Sequence, residues 1–195
     1  MATTATPTGA EPVDTLSASG SFSGKVRHMS IASNYGTAIF YGDFVKLVAA
    51  GTVEKAAVTT AVVAGTVGIF MGCSFTDPTT NQVTFSQHYP ASTVASDIMA
   101  YVCDDPKLLF RMQGDEAIAQ TGLGNNISAV STAGSTSIGR SKNALDGGSI
   151  ATTNSLPLRV VDFVDGPTST VGDAFTDCIV TYLPLSHAYE TKLGV

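Results

Sequence analysis

Between Val67 and Tyr89 the residues alternate in character with a period of two, and this constrains the fold more than any other feature. Val67, Ile69, Met71, Cys73 and Phe75 fall on one face of an extended segment, with Gly68, Phe70, Gly72, Ser74 and Thr76 on the other. Successive Cβ atoms point to opposite sides of a strand, so such a pattern predicts a half-buried strand rather than a helix. Asp77-Pro78-Thr79-Thr80-Asn81 follows. Pro presets φ, and Asp and Asn bond their own backbone, so this stretch reads as a turn. Val83, Phe85, Gln87 and Tyr89 then alternate with Gln82, Thr84, Ser86 and His88, which completes a hairpin. Residues 98–103 are apolar on both faces, as expected of an inner strand, and another strand starts at Lys107 after Asp104-Asp105-Pro106.

The rest of the chain is punctuated in the same way. Residues 26–31 read as a short strand, and Asn34-Tyr35-Gly36 as a turn before residues 37–40. Residues 41–48 and 52–56 form a second hairpin, with Gly51 supplying positive φ in its turn. Further strands are expected at 158–164 and 178–183. Many short strands between Gly- and Pro-bearing turns predict an all-β fold, a small barrel or sandwich of short antiparallel strands.

Residues 1–24 are mostly Ala, Thr, Ser, Gly and Pro. Such an arm buries too little apolar surface to offset its ordering entropy, so it is expected to be flexible or to order against a partner. Residues 25–195 are expected to form one β-rich domain. Within it, 114–157 reads as an irregular surface excursion with a helical turn at 117–120, and 184–195 as a C-terminal tail.

Charged residues are only 13% of the chain and the net charge is −6. Without clustered Lys and Arg, nucleic acid is excluded as a partner. No run approaches the roughly 18–20 apolar residues of a membrane span, and residues 1–4 show neither half of a secretory leader. Cys73, Cys103 and Cys178 are widely spaced inside apolar strand patterns. They are expected to be reduced, buried thiols in a protein made in a cytosol.

Candidate chemistry is sparse. Gly134-Ser135-Thr136-Ser137-Ile138-Gly139-Arg140-Ser141 has the spacing of a phosphate loop, but with Arg in place of Lys and no strand–helix frame around it. Asp104-Asp105 and Asp115-Glu116 lack calcium-loop spacing and read as turn formers. His28, His88 and His187 are far apart, and no Gly-x-Ser-x-Gly elbow marks a nucleophile. Asn126-Ile127-Ser128 is a glycosylation triplet that matters only on secretion. The aromatics on strand patterns, Phe40, Phe44, Phe70, Phe85 and Phe110 among them, are expected in the core. No enzyme, cofactor or metal is expected.

Several runs resemble the head decoration (capsid cement) proteins of tailed bacteriophages. They are Tyr41-Gly42-Asp43-Phe44-Val45-Lys46-Leu47, Gly51-Thr52-Val53-Glu54-Lys55-Ala56 and Gly68-Ile69-Phe70-Met71-Gly72. Phe75-Thr76-Asp77-Pro78, Ala100-Tyr101-Val102-Cys103-Asp104-Asp105-Pro106 and Leu156-Pro157-Leu158-Arg159 are similar to structural proteins of podovirus-like, often marine, phages. The resemblance implies a virion protein, made in the host bacterial cytoplasm, that sits on the outer surface of the head. It would bridge neighbouring major capsid subunits as a homo-oligomer, a trimer or dimer. Phe22, Val26, Tyr35, Tyr189, Leu193 and Val195 are the expected capsid or oligomer contacts. The alternatives are a tail or host-adhesion component of the virion, or a hydrolase whose site carries no motif.

Overall fold

In a computed structural model, residues 4–16, 22, 24–59, 65–184 and 186–191 are described. The strands in chain order are β1 (Glu11–Thr15), β2 (Arg27–Ser30), β3 (Ile39–Phe40), β4 (Phe44–Leu47), β5 (Val53–Lys55), β6 (Thr66–Thr76) and β7 (Val83–Ser86). They continue with β8 (His88–Tyr89), β9 (Met99–Cys103), β10 (Leu108–Gln113), β11 (Asn126–Val130), β12 (Ala144–Ala151), β13 (Leu158–Phe163) and β14 (Asp177–Tyr182). A first sheet runs β1-β10-β14-β13-β11-β12, a second runs β2-β9-β6-β4-β5 with β7 on β6, and β3 pairs with β8. All these ladders are antiparallel.

The all-β expectation holds, and of its two forms the chain takes the sandwich. The first sheet curls until Leu145 of β12 meets Gly114 just beyond β10, but this is a single bridge and the sheet stays open.

The second sheet is the middle layer because its strands are apolar on both faces. Neighbouring residues point opposite ways along a strand. Phe44, Ile69 and Cys103 accordingly enter one core, shared with Phe110, Ile127, Leu158 and Val180 of the first sheet. Their neighbours Val45, Phe70 and Val102 enter another, shared with Ile39 and Tyr89 of the small pair. Where the two large sheets meet, Phe44 packs edge-on against Phe110 and Tyr182, with ring centroids 5.7 and 6.1 Å away. Such pairs contribute about 0.5–1.5 kcal/mol each beyond area burial. Gly68 is required at the centre, since a Cβ there would lie 2.1 Å from the Cys103 carbonyl oxygen. Gly51 has φ of 75°, as its turn demands.

Three expectations change. β6 is not half-buried: its register breaks opposite β4 and opposite β9, so its alternation switches phase and both faces are covered. Within residues 1–24, Glu11–Thr15 is an edge strand of the chain's own first sheet, paired with β10. Within 114–157, β11 and β12 are strands of that sheet and Gln120–Gly122 is a single 3-10 turn, so the excursion is in part regular and contributes to the sheet.

Candidate interaction surface

β9 carries Met99, Tyr101 and Cys103 on one face. Cys103 is sealed beneath the first sheet, whereas Met99 is 39% exposed. The second sheet thus extends past the layer that covers it, and its inner face emerges into solvent. The ladders align this overhang in a row: Phe85 of β7 faces Ser74 of β6, Ser74 faces Met99, and Met99 faces Ser30 of β2. Val83 lies opposite Thr76 in the next row. Phe85 is 74% exposed and Val83 64%. These rows contain no charge. Asp97 borders them, accepting hydrogen bonds from the Thr76 hydroxyl (2.6 Å) and amide. Exposed apolar residues gathered on one sheet face are candidates for an interaction site.

The expected contact residues are dispersed. Phe22 is half-buried against the core between the sheets. Tyr35 packs on the second core, its hydroxyl accepting from the Lys55 amide (3.2 Å) and its carbonyl from the Tyr89 hydroxyl (3.1 Å). Both serve their own domain. Val26 is 36% exposed just before β2. Tyr189 is exposed along one side, but its hydroxyl donates to Asp104 (2.9 Å) and the Arg27 guanidinium lies over its ring, itself ion-paired with Asp104. Leu193 and Val195 lie outside the described residues. The exposed residues Val83, Phe85 and Met99 were not foreseen; Phe85 was expected in the core. The alternation that placed Val83 and Phe85 on one face was correct, but nothing local marks where the covering sheet stops.

Other clusters are internally satisfied. Asp43, fully buried, accepts from the Ser141 hydroxyl (2.6 Å), the Asn143 side-chain amide (3.1 Å) and the Phe40 amide (2.9 Å), and pairs with Lys55 Nζ (2.8 Å). The loop with phosphate-like spacing is therefore tied down by its own residues: Ser141 bonds Asp43, and Arg140 pairs with Glu11 and covers Tyr41. A polar groove of about 580 Å³ lies beside β1 and β10. Along it, Arg140–Glu11 and Arg111–Asp177 (3.5 Å) neutralise one another, and burial pushes the Asp177 carboxyl up. Asp105 accepts from the Lys107 amide (2.8 Å), as a turn former does.

Burial raises the Cys73 and Cys178 thiols to about 12 and Cys103 to about 11, so none is a thiolate near neutrality. Among the described residues, no group of three or more His, Cys, Asp or Glu is placed to hold a metal ion. No helix among them is long and apolar enough to cross a membrane. Compared with protein-family models, curated proteins and solved structures, the chain matches none.

Proposed function

We propose that this protein is a structural component of a phage head, bound to the outer surface of the capsid, where it bridges neighbouring major capsid subunits and stabilises the shell. The observation that carries this reading is the overhanging face of the second sheet. Val83, Phe85 and Met99 present apolar surface in rows without charge. Such a face suits a dry, repeated contact with another protein, and a modest contact repeated over a lattice reinforces the whole. The cement-protein resemblance of the Gly42-Asp43 hairpin and of the Gly68–Gly72 run supplies the partner. In the chain, that hairpin is the core-forming β4–β5 pair, whose Asp43 anchors the loop ending at Ser141.

The test is occupancy on particles. Wild-type protein is expected on fractionated heads, and Phe85→Ser is expected to lower occupancy of emptied shells by roughly tenfold or more, as loss of an aromatic anchor does. Recovery on tails instead of heads would replace this reading with the host-adhesion one. Absence from particles would end it.

A further inference from the structure

Sheets expose unpaired N–H and C=O groups at their edges, and proteins guard them with charge, proline or a break in register. Four edge strands here are guarded. β1 has Pro12, two carboxylates and a register break at Val13; β2 has Arg27; β5 has Glu54 and Lys55; β12 has Asp146 and a register break. β7 reads Val-Thr-Phe-Ser, pairs with β6 in unbroken register, and has none of these devices. Among the described residues, β6 is its only ladder partner.

The direction of its free groups follows from the turn. The Asp77 amide donates to the Gln82 carbonyl (2.9 Å), so Gln82 points its backbone toward β6. Hydrogen-bonded and non-bonded pairs alternate along an antiparallel ladder. Thr84 and Ser86 therefore also bond inward, while Val83 and Phe85 direct their N–H and C=O outward.

We infer that β7 is the seat of a twofold dimer, in which residues 82–86 of one copy pair antiparallel with residues 82–86 of a second. The outward groups select the register. With Thr84 on the twofold axis, Val83 of each copy faces Phe85 of the other, and both are outward-bonding residues. Four backbone hydrogen bonds close across the axis, as an isologous contact requires. The same register sets each Val83 side chain beside the partner's Phe85 on the overhanging face. The apolar rows of the two copies then run together as one strip. A second copy suits this edge because like meets like here without repulsion: Val83, Thr84, Phe85 and Ser86 carry no charge, despite the net −6 of the chain. The pairing does not depend on what the joined faces bind.

Sedimentation of the full chain over a concentration series tests this. Wild type is expected to convert from monomer to dimer with increasing concentration. Val83→Pro removes an outward N–H at an edge position where a proline ring is accommodated, and is expected to weaken association by tenfold or more. Val83→Lys sets two ammonium groups near the axis and is expected to do the same, so a failure of the proline variant to fold leaves a second reading. Val13→Lys, on the guarded edge of β1, is expected to leave the dimer intact. Amide exchange at Val83 and Phe85 is expected to slow as concentration rises. A monomer at submillimolar concentration, a trimer, or a dimer indifferent to both Val83 variants would overturn the inference. Absence of the wild-type protein from heads with the dimer intact would count against the docking proposal alone.

Discussion

Asp43 shows how much one side chain holds. Its two oxygens collect the Phe40 amide, Ser141, Asn143 and Lys55, joining the hairpin of β4 and β5 to a loop about a hundred residues later. Asp43→Ala would leave the largely buried Lys55 ammonium and three donors without an acceptor. Breaking a buried pair in this way costs about 3–5 kcal/mol, which a shift in the urea midpoint at constant slope would register. His187 makes stability depend on pH. It is fully buried between the rings of Tyr182 and Tyr189, 5.2 and 5.1 Å away. The Tyr189 amide donates to its Nδ1 (3.3 Å), and among the described residues its Nε2 has no partner in hydrogen-bond geometry. Burial lowers its pKa, against the weaker opposing pull of the Val67 carbonyl, Glu190, Asp104 and Asp105. Above the ordinary histidine value of about 6.5, both folded and unfolded chains leave the ring neutral, and stability is complete. Below it the unfolded chain takes a proton that the folded one refuses, so stability falls as pH drops toward the folded value. Urea midpoints of wild type are expected to decline as the pH falls below about 6.5, and those of His187→Gln to decline less.

At the scale of elements, β1 is the informative case. Ala, Thr and Pro around it suggest a strap waiting for a partner, yet Glu11–Thr15 pairs with β10 and Ala10 beside it is fully buried in the core between the sheets. Deleting residues 1–24 is therefore expected to destabilise the isolated protein by about 2 kcal/mol, roughly 4–8 °C in thermal midpoint for a chain of this size. An arm acting only on a partner would leave that midpoint unchanged. β11 and β12 were illegible for a related reason. Asn126-Ile127-Ser128 and Asp146-Gly147-Gly148 are poor strand sequences. They are held as strands by neighbours: β11 by β13, and Leu145 by Gly114 across the curl of the sheet. Propensity yields to tertiary pairing where both sides of a ladder are available. Strong alternation survives such effects, and β4 to β7, β9, β13 and β14 lie close to where the pattern places them.

At the scale of the molecule, three layers divide the apolar residues into two cores, and the middle layer is longer than the layer that covers it. That difference in length leaves Phe85 and Val83 in solvent, and through them produces both the proposed docking face and the proposed twofold. The sequence by itself determined that the chain is all β, where most strands and turns lie, and that the cysteines lack disulfide or metal spacing, because alternation and turn chemistry are local properties. Only the tertiary structure decided between sandwich and barrel, drew residues 11–15, 126–130 and 144–151 into a sheet, and separated an exposed Phe85 from a buried Phe75. The reason is physical. Periodicity tells which residues share a face, but whether that face is covered depends on a sheet assembled from strands as far as a hundred residues away, and no local pattern records where it ends.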